Sequence, residues 1–249
     1  MQPYVDTLTI TAASGLRARM ESLEMLANNL ANATTTGFKA DREFYSTYFA
    51  PEALAGPGGT LPAVSPVIEN NWTDFSQGAL LPTGSALDFS LSGPGFFVAD
   101  GPSGALYTRN GNFRLSPDGT LLTQEGYPVR GEQSKPIRLD PNEPIEVDAE
   151  GVLRQQGQVK GRMEVASFSD QSELAKTGSS YFRFDGQGQP SRSSARVEQA
   201  RLEGANFHPA EGAVRLVSVL RQFEMLERAL TLGNEMNRRG IEEVARVRD

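Results

Sequence analysis

The stretch Leu26-Ala27-Asn28-Asn29-Leu30-Ala31-Asn32-Ala33-Thr34-Thr35-Thr36-Gly37-Phe38-Lys39 separates two kinds of structure. Before it, apolar residues fall at Ala13, Leu16, Met20, Leu23, Ala27 and Leu30, in steps of 3, 4, 3, 4 and 3. That is the a/d spacing of a coiled-coil seam. Arg17, Arg19, Glu21 and Glu24 lie off the stripe. Pro3 suits a first helical turn, where its missing N–H costs nothing. Within the stretch the helix must stop. Asn and Thr side chains compete for backbone hydrogen bonds, and Gly37 accepts positive φ. The pattern predicts an N-terminal helix over residues 1–36, ended by a turn.

Downstream, residues 37–85 read as an extended Pro/Gly-rich linker segment, which includes Gly56-Pro57-Gly58-Gly59. Residues 86–206 then read as a central β domain. Short apolar runs such as Leu87-Asp88-Phe89-Ser90-Leu91 and Tyr181-Phe182-Arg183-Phe184 are punctuated by Asp118-Gly119, Glu150-Gly151 and Asp185-Gly186. These pairs tolerate the positive φ of tight hairpin turns. Many short strands at this spacing predict an antiparallel sandwich or barrel-like unit. Residues 207–249 predict a second helix, with Pro209 in its first turn. Leu216, Val219, Phe223, Leu226 and Leu230 repeat at steps of 3 and 4, and Leu220 widens the stripe. Glu211–Arg215, Glu224–Arg228, Glu235–Arg239 and Glu242–Arg246 are favourably ordered i,i+4 pairs. Gly233 and Gly240 weaken the helix by about 1 kcal/mol each.

The expected fold class is α+β. N- and C-terminal helices form a coiled-coil-like terminal domain, joined to a central, mostly antiparallel β domain. The candidate assembly interface is the two apolar stripes, Leu16, Met20, Leu23, Ala27 and Leu30 with Leu216, Val219, Leu220, Phe223, Leu226 and Leu230. Periodicity leaves open whether they form a private hairpin or a contact between copies.

The 249 residues include no cysteine and carry a net charge of -7. Without thiols the chain is indifferent to redox compartment. No basic cluster of the kind that grips nucleic acid stands out. No run approaches the roughly 18 apolar residues of a membrane span. The first ten residues lack a basic segment followed by an apolar one, so no cleaved signal is expected. The single histidine, His208, lies between Phe207 and Pro209 and reads as a linker or cap residue rather than a triad base. Gly93-Pro94-Gly95 lacks the third glycine of a dinucleotide fingerprint. Asp185-Gly186-Gln187-Gly188-Gln189 lacks calcium-loop spacing, and Asp148 with Glu150 reads as turn chemistry. Trp72 beside Asn70 and Asn71 reads as a small core anchor or, alternatively, a sugar-binding loop. No catalytic, cofactor or metal residue is expected.

Three segments resemble the flagellar basal-body rod proteins, which share motifs with hook proteins. The first is the opening stretch, with Asn28, Asn29, Asn32, Gly37 and Phe38. The second runs through Gly93, Gly95, Phe96 and Phe97 to Tyr107-Thr108-Arg109-Asn110-Gly111-Asn112-Phe113 and Gly126-Tyr127-Pro128-Val129. The third is Leu202-Glu203-Gly204-Ala205-Asn206, followed by Arg221-Gln222-Phe223-Glu224 and Asn234-Glu235-Met236.

The resemblance implies a structural subunit that stacks helically with copies of itself and other rod subunits. It also implies passage through the flagellar type III export apparatus without a cleaved signal, residence in the periplasm-spanning rod, and no cofactor. The terminal helices would line an inner tube, with the β domain outside, and the chain ends would order on assembly. Ala205, Asn234 and Pro94 depart from the family pattern, where Ser, Asp and a polar residue are usual. The compact length and the tail from Glu235 to Val244 look like the proximal-rod type, with the distal-rod or hook type next. Readings from other classes are a secreted β-rich glycan-binding module and a hydrolase using His208.

Overall fold

The computed structural model describes residues 7–49, 64–178 and 180–246. Pro3 and Gly56-Pro57-Gly58-Gly59 lie outside the described residues, as do the side chains of the Glu242–Arg246 pair. Helix α1 (Thr7–Ala31) is followed by β1 (Asp41–Phe49), β2 (Val64–Thr73), β3 (Leu80–Pro82), β4 (Phe89–Ser92), β5 (Phe96–Gly101) and β6 (Gly104–Thr108). Then come β7 (Phe113–Leu115), β8 (Leu121–Thr123), β9 (Glu146–Val147), β10 (Val152–Gln155), β11 (Gln158–Arg162) and β12 (Val165–Ser167). The order ends with β13 (Leu174–Thr177), β14 (Tyr181–Phe184), β15 (Ser191–Arg192), β16 (Arg196–Gln199), β17 (Arg201–Glu203) and α2 (Pro209–Arg246).

Local chemistry explains the ends. Helix α1 stops inside the Asn-rich stretch, and Gly37 takes a φ of 70°. Helix α2 begins on Pro209 and continues through Gly233 and Gly240. The chain forms two compact units, one holding α1, β1, β2 and α2, the other built from Ala31–Ala40 and Thr73–His208.

In the first unit β1 pairs with β2. In the second, a six-stranded sheet has the order β13-β14-β6-β5-β12-β15, with every neighbouring pair antiparallel. A three-stranded sheet of order β11-β10-β9 and the pairs β16-β4, β17-β3 and β7-β8 complete it. Successive strand residues point to opposite faces, so the neighbours Phe96 and Phe97 serve two cores. Phe97 packs with Phe89, Phe113, Leu121 and Leu153, and Phe96 packs with Phe168, Leu174 and Phe182.

The expected coiled-coil-like terminal domain requires correction. Both terminal helices and the mostly antiparallel β domain are present, but no coiled coil is shown. Among the described side chains of α1 the buried positions are Gly15, Ala18, Ser22, Met25, Leu26 and Asn29. Ala13, Met20 and Ala27 of the apolar stripe are exposed, and Leu16, Leu23 and Leu30 are half-buried. The buried set is essentially the apolar stripe moved by two residues, which turns it about 200° around a helix.

The reason is steric. A heptad seam inserts large side chains as knobs, whereas Gly15, Ala18 and Ser22 let a neighbour approach the backbone. A Cβ on Gly15 would stand 3.6 Å from Leu226 Cδ1 of α2. On α2, Val219 is buried and Leu216, Phe223, Leu226 and Leu230 are half-buried, beside Gly212, Gln222 and Gly233. Leu220 is exposed, together with Val214, Val217, Met225, Leu232 and Met236.

Burial predicts an unequal response to truncation. Leu121→Ala, at a fully buried position, should destabilise the protein by about 3 kcal/mol in urea unfolding. Val159→Ala, at an exposed edge-strand position, should stay within about 0.5 kcal/mol.

Candidate functional site

The residues that follow α1 enter the β unit through a dense polar junction. Asn29 Nδ2 donates to Asp41 O at 2.8 Å, and Asp41 N donates to Asn29 Oδ1 at 3.0 Å, so this asparagine mimics a strand neighbour at the start of β1. Asn32 O accepts from Thr35 N at 3.0 Å, which makes the helix-ending turn. Thr36 Oγ1 donates to Asn110 Oδ1 at 2.8 Å. A Cβ on Gly37 would fall 2.3 Å from Asn110 N, so both its left-handed φ and its closeness to the neighbouring backbone require glycine.

Phe38, Lys39 and Ala40 are then buried. Lys39 Nζ donates to Glu203 Oε1 at 2.5 Å and to Ser76 O at 2.6 Å. Arg109 Nη1 donates to Glu203 Oε2 at 3.2 Å and Arg109 Nη2 to Gly93 O at 2.8 Å. Gly78 N adds a bond to Glu203 Oε1 at 2.9 Å. The side chains of Lys39 and Glu203 are 0% exposed, and that of Arg109 is 4% exposed.

Burial pushes the Lys39 ammonium and the Arg109 guanidinium below their ordinary pKa ranges, with Glu203 opposing the shift in both. Among the described residues Arg109 Nε has no hydrogen-bond partner, but the guanidinium lies 5.4 Å from the Phe96 ring centroid, a cation–π distance. Asn206 closes the junction. Its Oδ1 accepts from Ala40 N at 2.8 Å, and its Nδ2 donates to Asp74 O at 2.6 Å. Gly37, Phe38, Gly93 and Asn206 thus meet at one place, where residues 37–40, 74–78 and 203–206 run together.

The remaining motif residues lie elsewhere. Asn28 is exposed, Phe97 serves the first core, Phe96 serves the second core while its ring also meets Arg109, and Arg221 and Glu224 stand exposed on α2. His208 is exposed and Trp72 is half exposed. Asp148 Oδ1 accepts from Glu150 N and Val152 N at 3.1 and 2.9 Å, which is turn chemistry. Among the described residues no cluster of three or more His, Asp or Glu side chains is placed to hold a metal ion. None of their helices is long and apolar enough to cross a membrane.

Sequence reasoning missed the charged members Lys39, Arg109 and Glu203. Their signal was a lone charge inside an apolar or glycine-rich run, as in Phe38-Lys39-Ala40 and Leu202-Glu203-Gly204. The triad holds segments together and presents no reactive group to solvent. Glu203→Gln removes the one acid hydrogen-bonded to both buried cations and should cost about 3–5 kcal/mol in chemical unfolding. Lys39→Met leaves Glu203 paired with Arg109 and should cost measurably less.

The family model described as the flagellar hook protein FlgE/F/G D1 domain matches residues 90–159. That described as the flagella basal body rod protein matches residues 11–39. The flagellar basal-body rod protein FlgF of Caulobacter vibrioides is 31% identical over 234 residues, covering 90% of this chain and 92% of its own length. FlgF of Mesorhizobium japonicum is 31% identical, covering 88% and 89%. The basal-body rod protein FlgG of Agrobacterium fabrum is 30% identical, covering 90% and 94%. With a relative 31% identical over 90% of the chain, the chain belongs to the flagellar basal-body rod protein family.

Proposed function

We propose that this chain is a structural subunit of the bacterial flagellar rod, stacking helically to transmit torque from motor to hook. One observation carries the reading beyond family membership. The apolar stripe of α1 is not the face the chain buries, because Ala13, Met20 and Ala27 are exposed, Met20 by 51%. Exposed apolar residues at helical spacing are surface that association removes from water, at about 25 cal/mol per Å².

In this reading the stripes Leu16, Met20, Leu23, Ala27 and Leu30, and Leu216 to Leu230 on α2, are shared between copies and with other rod subunits. The terminal helices form the inner wall and residues 86–206 pack outside. The chain does no chemistry. It leaves the cell by the flagellar type III export apparatus without a cleaved signal and lies in the periplasm-spanning rod. The tail from Glu235 to Val244 favours a proximal position.

The test is Leu23→Asp, which puts a charge into the shared stripe. It should abolish rod assembly and swimming while the β unit keeps its cooperative unfolding. Normal motility in that strain rejects the reading. Mild proteolysis of the unassembled chain should trim roughly the first 35 and last 40 residues and spare the β unit. Swimming unchanged by His208→Ala is the expected result for a protein without catalysis.

A further inference from the structure

A cavity of about 210 Å³ lies at the connection between β15 and β16. Arg162, Arg192, Ser193 and Arg196 line it, with Met163 and Val165 on its apolar side. The wall is built. Ser193 N donates to Val165 O at 2.9 Å, Val197 N donates to Ala149 O at 3.0 Å, and Ala195 N donates to Ser193 Oγ at 2.9 Å. The Ser193 hydroxyl in turn donates to Pro94 O. The Gly93-Pro94-Gly95 turn makes the room for this. A Cβ on Gly95 would fall 2.5 Å from Ser193 Oγ.

The charges here are incompletely matched. Arg162 Nε donates to Glu150 O at 2.8 Å, which fixes its guanidinium plane. Its Nη1 stands 3.6 Å from Glu132 Oε1, and Arg192 Nη2 stands 3.6 Å from that same oxygen. Both separations exceed hydrogen-bond reach, so one carboxylate oxygen is shared loosely by two cations. Glu132 is 59% exposed, and the next two residues, Gln133 and Ser134, hold φ of 62° and 56°. Non-glycine residues adopt such angles at a cost. Arg196 makes no ion pair among the described residues. The facing charges are therefore three guanidinium groups against the carboxylates of Glu132 and Glu150.

We propose that this cavity is an oxyanion socket that receives a carboxylate side chain from a second copy of the chain. Guanidinium forks bind carboxylates in bidentate fashion, and Glu132 shows which anion the pair accepts. The source follows from charge. The chain carries 31 acidic against 24 basic residues, so copies repel unless acids are seated locally on cations. The identity of the donor rests on the self-assembly proposed above, whereas the socket itself does not.

The wild-type protein is titrated at low salt with a hexaglutamate peptide and, separately, with inorganic phosphate, while arginine side-chain NMR signals are followed. Peptide binding should shift the Arg162 and Arg196 signals. Arg162→Gln and Arg196→Gln should each weaken it about tenfold, the size expected for a lost charge-assisted contact. Arg196→Gln touches an exposed side chain and should leave the melting temperature unchanged. Glu132→Gln should tighten binding severalfold, whereas Glu227→Gln, the same charge change on α2, should not. Equal effects of those two acid variants, or no arginine shift at low salt, overturn the socket. Phosphate that binds as tightly as the peptide and displaces it assigns the cavity to a free anion and overturns the carboxylate. Peptide binding lost in an Arg162→Gln/Arg196→Gln double variant that still self-associates like wild type overturns the second copy as donor. Self-association that fails in the wild type while the peptide binds normally rejects the assembly reading and leaves the socket standing.

Discussion

Glu203 pairs with two buried cations at once, Lys39 and Arg109, and the junction around it is shaped by that fact. Taking charges out of water costs several kcal/mol per ion, so such a cluster survives only with near-complete compensation. The compensation here comes from Ser76 O, Gly93 O, Gly78 N and the Phe96 ring. Each of these fixes a backbone segment. Gly37 must be left-handed for Lys39 to arrive, and Gly78 must lack a side chain because a Cβ would meet Gly204 O at 2.0 Å. The ion triad therefore sets register: a one-residue slip in any of the three segments strands a charge.

Much of this architecture could be read locally. The end of α1 in the Asn-rich stretch, the start of α2 at Pro209 and the hairpin punctuation at Asp118-Gly119 all follow from the residue's own backbone preferences. The helix pairing could not be read that way. Apolar periodicity located a stripe at Leu16, Met20 and Leu23, but the buried face runs through Gly15, Ala18 and Ser22. Small residues give no hydrophobic signal, yet they decide which face a neighbour can approach most closely. The triad was hidden for another reason: its members are separated by 164 and 94 residues, and no local pattern spans such distances.

Helix α1 thus presents two surfaces of different kinds. One, small and close-packed, is used within the chain, as Gly15 against Leu226 shows. The other is larger, more apolar and incompletely covered. This division suits a protein of the rod family, since large apolar side chains left partly uncovered can serve a neighbour.

The separation between Lys39 and Glu203 also has a kinetic meaning. Closing a chain loop of 164 residues is entropically slow, though each doubling of length adds only about 0.6 kcal/mol. The acid that neutralises Lys39 and Arg109 comes from β17, the last strand before α2. A chain emerging from its N-terminus therefore holds both cations without their acid until more than four-fifths of its residues have appeared. A chain that stops before β17 has the socket for Glu203 but nothing to put in it.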